Sequence, residues 1–223
     1  MRLVSAVLAR NEAGPDRFLR RVLTRCLAFS DTVVLLNDRS TDATADLARL
    51  MGCAVYDRLD SLPAWGHEAP ARRQLWDCAL KHATGLNDWV LINDADQEFI
   101  GDIRALCRSR EVNTWCVPLY DAWSATEYRE DMLWQAHRNP RPWLYAPHRV
   151  PAGWTPEWND AGIHTGHSPL NFPMVAAVAP ETCHWIHWSY STPELRQTKY
   201  AQYQSVAHQL SPAQRAHAES ILA

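Results

Sequence analysis

Residues 89–98 read Trp-Val-Leu-Ile-Asn-Asp-Ala-Asp-Gln-Glu. The apolar run 89–92 has the length and composition of a buried strand, and it ends abruptly in two aspartates, Asp94 and Asp96. In an open α/β sheet the carboxyl ends of the strands form the edge where ligands bind. Two carboxylates one residue apart at such an end suit a hard divalent cation, which takes oxygen ligands and keeps positions open for phosphate oxygens. An Asp-x-Asp pair alone serves equally well as turn or helix-capping chemistry. Its meaning depends on what the rest of the chain brings to the same edge.

Upstream, strand and helix signals alternate. Residues 3–8 predict a first buried strand, and Pro15 opens a helical pattern in which Phe18, Leu19, Val22, Leu23, Cys26 and Leu27 share one face. A second strand at 32–36 precedes a helix at 42–51 that Gly52 stops, and a third strand follows at 53–56. A polar loop covers 57–68, a helix 69–83 with Gly85 as its stop, and the fourth strand 89–93. This alternation predicts an α/β fold with a mostly parallel central sheet and helices on both faces.

Beyond Gly101 the pattern loosens. A short helix at 103–107 and a strand at 114–120 give way to an irregular stretch, 121–183, rich in Trp, Pro and His. A late strand at 182–189 leads into a helix at 193–209, and Ser211-Pro212 caps and opens a last one.

Bulk properties narrow the function classes. A chain of 223 residues fits one domain with a substantial core. An apolar fraction of 47%, a charged fraction of 21% and a net charge of −3 describe an ordinary globule without a basic field for nucleic acid. Six scattered cysteines with no Cys-x-x-Cys pair read as free thiols in a reducing compartment. The apolar run at the start is too short and too soon charged for a signal peptide, and no stretch approaches the roughly 20 apolar residues of a membrane span. The expected location is cytoplasmic. All eleven tryptophans fall between Trp65 and Trp188. Trp76 and Trp89 sit on helix and strand faces as core residues. Trp123, Trp134, Trp143, Trp154 and Trp158 lie in the irregular half, where one or two are expected to line a ligand cleft.

Three polar clusters follow three strands: Ala9-Arg10-Asn11-Glu12, the segment from Asn37-Asp38-Arg39-Ser40 to Thr44, and Asn93-Asp94-Ala95-Asp96. Together they resemble the inverting family 2 glycosyltransferases with the GT-A fold. That family follows its first strand with Asn-Glu and its second with a motif like Asp-Asp-Gly-Ser-Thr-Asp-Gly-Thr. Here the first Asp is replaced by Asn37 and the first Gly by Arg39, while Asp38, Ser40, Thr41, Asp42 and Thr44 are kept. The family's helix opening with Ala-Arg-Asn stands here as Ala71-Arg72-Arg73. The resemblance covers about the first 100 residues.

What the resemblance implies is a single GT-A domain over 1–223. Residues 1–100 would form its nucleotide-sugar half, 101–192 its irregular acceptor half and 193–223 its C-terminal helices. It further implies that Arg10, Asn11 and Glu12 lie beside the nucleoside, that Asp38 accepts a hydrogen bond from the base, most often uracil, and that Arg72 reaches the diphosphate. Asp94 would contact ribose or metal, and Asp96 would be the main ligand of Mn²⁺ or Mg²⁺. The segment from Cys183 to Glu194 resembles a late strand whose histidine completes the metal site. His184 and His187 face opposite sides of a strand, and the motif favours His187.

The implied donor is a nucleoside diphosphate sugar, UDP-linked by resemblance, and the acceptor a hydroxyl of a glycan, a protein or a modified nucleobase. A carboxylate must take the acceptor proton. Glu127, Glu130, Asp131, Glu157 and Asp160 are the available acids; Asp131 ranks first by a Tyr-Arg-x-Asp resemblance and Asp160 second, ahead of Gly162 in a Trp-rich loop. A nucleotidyltransferase would need a Gly-rich loop after strand one, where residues 9–15 hold a single glycine. A non-catalytic module with a decayed site would not need Asp38, Arg72, Asp94 and Asp96 together.

Overall fold

The structure is a computed structural model that describes residues 1–62, 67–159 and 166–223. Three strands, β1 (Leu3–Ala9), β2 (Thr32–Asn37) and β4 (Trp89–Asp94), are buried on both faces, which is why their sequences are continuous apolar runs rather than alternating ones. With β3 (Ala54–Asp57) they form a parallel block in the order β3-β2-β1-β4. On one face, α1 (Leu19–Phe29) and α2 (Thr44–Leu50) pack against Val7, Ala9, Val33 and Leu35. On the other, α3 (Glu68–Leu80) lays Leu75, Trp76 and Ala79 on Val4, Ala6, Val34, Leu36 and Ile92.

Register lines up the strand ends. Ala9 is paired with Asn37, and Leu8 with Asp94. The polar residues following β1, β2 and β4 therefore start at one level along one edge of the sheet.

The second half completes this sheet and builds another. β5 (Gln97–Ile100) and α4 (Ile103–Cys107) follow β4 directly. β8 (Arg141–Tyr145) lies antiparallel between β4 and β6 (Thr114–Val117), and β9 (Ala176–Val178) closes the seven-stranded sheet beyond β6. β7 (Leu119–Asp121), β10 (His184–His187) and β5 form a separate three-stranded sheet. In it His187 is paired with Gln97 on one side and Asp121 on the other, which carries β10 to the same edge as Asp94 and Asp96. α5 (Pro193–Ser205) and α6 (Pro212–Ser220) end the chain, the latter opened by a reciprocal capping box between Ser211 and Gln214. Among the described residues no helix is long and apolar enough to cross a membrane, and all six cysteines are free thiols.

Several elements differ from the sequence expectation. The first helix starts at Leu19 and not at Pro15, and upstream the amides of Glu12 and Ala13 bond Thr44 Oγ1 and Asp42 Oδ2. The expected strand 114–120 is two strands in two sheets, interrupted at Pro118, which has no N–H for a ladder. β5, β8 and β9 are three to five residues long, too short to show a period. The predicted helix 193–209 breaks after Ser205 into a separate 3₁₀ turn at Ala207–Gln209.

Gly101 turns the chain from β5 into α4 at φ +111°, and a Cβ there would meet the Thr182 carbonyl at 2.5 Å and Cys183 Sγ at 2.8 Å. Both the left-handed backbone and the close approach exclude a side chain. Gly101→Ala is expected to destabilise the fold by about 1–3 kcal/mol, read from the midpoint of urea unfolding.

Candidate active site

The edge formed by the ends of β1, β2, β4, β7 and β10 borders a cleft of about 1280 Å³. Arg10, Glu12, Asp38, Arg72, Asp94, Asp96 and His187 all line it. Asn11 is exposed and is not among the residues that line it. At φ +54°, its amide donates to Ser40 Oγ at 3.0 Å, and its Oδ1 accepts from the Thr41 amide at 2.8 Å. These bonds lock the loop after β1 to the loop after β2. Arg39, standing where the related motif has glycine, takes φ +55°. The loop thus keeps a glycine-like shape with a residue that pays about 1 kcal/mol of backbone strain for it. Glu12 is shielded from water and lies near the Asp96 charge, and the two effects push its carboxyl up to about 7 despite Arg17 3.8 Å away.

The centre of the cleft is a chain of three side chains. Asp121 Oδ1 is 2.7 Å from His187 Nδ1, and His187 Nε2 is 3.5 Å from Asp96 Oδ2. Ser189 Oγ donates to the same Asp96 oxygen. Asp96 Oδ1 is buried and has no partner. Burial alone would lower His187, but Asp96 and Asp121 outweigh it and raise the imidazole to about 9. In return the His187 charge overcomes the burial of Asp96 and holds that carboxyl below the ordinary carboxylate range. Lys199, from α5, adds a second positive charge near Asp96; its ammonium is raised against the pull of burial, mainly by Asp96.

A histidine whose Nδ1 is held by a carboxylate and whose Nε2 faces a second carboxylate with a bare oxygen has the chemistry of a metal-ligand pair. Among the described residues no group of three or more His, Cys, Asp or Glu side chains is arranged to hold an ion. Asp96 and His187 are the two side chains at this point that could hold an ion together with oxygens from a ligand.

Asp94 is placed differently. Its two oxygens take a bidentate pair of bonds from Arg72, at 2.6 and 3.1 Å, and its amide donates to Gln97 Oε1. Arg72 is buried, its Nε has no partner, and Glu68 lies 3.9 Å away. His167 stands 3.8 Å from Asp94, with its Nε2 buried and unpartnered and its ring 4.0 Å from that of Trp143. Burial and the Arg72 charge lower the His167 pKa. Asp38 donates its amide to the Ala9 carbonyl and gives one carboxylate oxygen to Arg58 at 2.9 Å.

The acids expected to take the acceptor proton fare unequally. Asp131 is exposed, accepts from Arg129 at 2.8 Å and from the Leu133 amide at 2.8 Å, and the Arg129 bond chiefly lowers its pKa. It is not among the described residues that line the cleft, nor are Glu127, Glu130 and Glu157. Asp160 lies outside the described residues. Of the five tryptophans in the irregular half, Trp143 lines the cleft, Trp154 and Trp158 pack against the core around Trp76, and Trp134 is buried with Tyr190 and Tyr203, with Trp123 packed against that cluster. The sequence reading missed Arg58, Asp121 and Ser189. Ser189 alone had a local cue, two residues past His187.

No protein-family model matches the chain, and no curated protein matches it. Among solved structures, S. aureus TarS superposes on the whole of this chain at a TM-score of 0.50 with 16% identity, and this chain spans 42% of it. The fold is GT-A. The TarS 1-349 structure covers the GT-A chain equally, at 18% identity and a TM-score of 0.49, with 70% of its own length matched. Glucosyl-3-phosphoglycerate synthase of Mycobacterium tuberculosis, in complex with Mn²⁺, UDP and glucosyl-3-phosphoglycerate, covers 54% of this chain at 20% identity and a TM-score of 0.36; this chain spans 44% of it. The GT-A chain described here thus spans less than half the length of full TarS and of the synthase.

Proposed function

We propose that the chain is a cytoplasmic family 2 glycosyltransferase that moves a sugar from a nucleoside diphosphate sugar, UDP-linked by the resemblance around Asp38, to an acceptor hydroxyl with inversion and with help from Mn²⁺ or Mg²⁺. The observation that carries this reading is the Asp121–His187–Asp96 chain, ending in a bare buried Asp96 oxygen, in the same cleft as Arg72–Asp94 and Asp38. A divalent ion held by Asp96 and His187 would supply neutralisation of the charge that builds on the departing diphosphate.

The chain's own residues do the rest. Asp121 fixes the His187 ring so that Nε2 faces Asp96, and Ser189 fixes the Asp96 carboxylate. Arg72, paired with Asp94, and Lys199, near Asp96, are the cations that would meet the diphosphate in the cleft. The acceptor proton goes to a carboxylate, and the position of Asp131 outside the cleft lining favours Asp160 for that role. On this reading Asp160→Asn lowers kcat by about 10²–10⁴-fold with donor affinity unchanged, and Asp131→Asn leaves kcat within a few-fold. The opposite pattern in steady-state kinetics would return the base to Asp131.

The overall reading is tested by thermal shift with nucleoside diphosphates and their sugars, with and without Mn²⁺. Stabilisation by UDP or a UDP-sugar that requires the ion supports it, because only binding to the native state raises the transition. A screen in which no nucleotide shifts the transition argues for a non-catalytic module.

A pH dependence follows from His187. In the free protein its pKa, raised from 6.5 to about 9, leaves a proton on Nε2 at neutral pH. That proton stabilises the fold fully below 6.5, and the contribution is lost as pH rises through about 9. An ion on Nε2 must displace the proton. Apparent Mn²⁺ affinity in the presence of UDP should therefore rise by up to about tenfold per unit between about pH 6 and 8. Calorimetric titrations giving a flat profile would remove His187 from the ligand set.

A further inference from the structure

Arg58, the first residue after β3, has a side chain fully shielded from solvent. Arginine is almost never so buried unless its donors are matched. Here Nη1 donates to Asp38 Oδ1 at 2.9 Å, Nε donates to Asp60 Oδ2 at 2.7 Å, and Nη2 donates to the His67 carbonyl at 3.2 Å. Its backbone N–H donates to the Asn37 carbonyl at 3.0 Å. One planar guanidinium therefore ties the end of β2, the loop after β3 and the approach to α3. Asp38 and Ser61 from two of these segments line the cleft.

The consequence falls on Asp38. One of its oxygens is committed to Arg58, and its amide to Ala9. The other carboxylate oxygen is not held by Arg58, so what Asp38 can offer the cleft is one acceptor on a carboxylate oriented by the clamp. An ionised carboxylate can only accept. It suits a base whose pairing edge carries a ring N–H, as uracil and guanine do, and opposes a ring nitrogen lone pair at the same place, as in cytosine and adenine.

We propose that Arg58 is a positioning residue that sets base selectivity, by clamping one oxygen of Asp38 and leaving the other to read a ring N–H. The assignment rests on the cleft taking a nucleoside diphosphate sugar with its base at Asp38. UDP and CDP, pyrimidines that differ at that edge, are the discriminating probes.

Calorimetric affinities for UDP and CDP, each with Mn²⁺, are compared in the wild-type chain and in Arg58→Met, Arg58→Lys and Asp60→Asn, with thermal unfolding as the control for folding. Wild type should prefer UDP by about 10- to 100-fold, the range of one hydrogen bond to a charged group. Arg58→Met should weaken UDP and bring the ratio within about threefold of unity, with Arg58→Lys and Asp60→Asn in between. If Arg58→Met does not fold, the two milder variants carry the test. Folded variants in which both nucleotides weaken together at an unchanged ratio would reduce Arg58 to a structural staple and overturn the proposal. So would a wild type without base preference. A wild type that binds neither nucleotide overturns the nucleotide reading itself.

Discussion

Asp96→Asn should lower kcat/KM for sugar transfer by about three orders of magnitude, the scale of several kcal/mol of lost transition-state charge stabilisation. Asparagine keeps the size of the side chain and an oxygen for Ser189, so packing around the site persists. What disappears is the charge that faces His187 and Lys199, together with the bare oxygen of Asp96. His187, no longer held up by Asp96, can shed its proton, so the cost to the fold is modest. The check is steady-state kinetics with Mn²⁺ titrated to saturation, because a variant that only binds the ion more weakly recovers at high metal. Unaltered turnover in Asp96→Asn would sink the assignment of the site.

Asp94→Asn carries the largest expected cost in stability. Arg72 is buried, its charge is matched mainly by the bidentate bonds it donates to Asp94, and Glu68 at 3.9 Å is too distant to replace them. Breaking one side of such a pair strands a charge out of water and costs about 3–5 kcal/mol. For a chain of this size that corresponds to roughly 10 °C in Tm. Changing both partners, Asp94→Asn with Arg72→Met, should restore much of the loss, since the penalty comes from the stranded cation and not from the missing bond. Equal destabilisation by the single and the double variant, measured by urea unfolding, would show that the pair does not act as a unit.

The parts of the fold legible in sequence are those fixed by local chemistry. β1, β2 and β4 are buried on both faces and announce themselves as apolar runs, and the polar residues that end them mark the edge of the sheet. Asp38, Asp94 and Asp96 are found that way. The rest depends on contacts between residues far apart in the chain. Asp121 ends a three-residue strand beyond Pro118, and nothing near it signals that register will set it against His187, 66 residues later. Arg58 reads as an ordinary loop cation until three segments close around it. Asp131 looked like a site acid by its neighbours, yet Arg129 satisfies it on an exposed turn. Arg39 shows the reverse: its sequence departs from the glycine of the related motif, while its backbone at φ +55° adopts the shape a glycine would give.

The metal site proposed at Asp96 and His187 is tested most directly by the anomalous signal of the ion in crystals grown with Mn²⁺ and UDP. One strong peak is expected beside Asp96 and His187 when UDP is bound, with Asp94 still bound to Arg72. A peak coordinated elsewhere, or UDP bound in the cleft with no ion at Asp96, would contradict it.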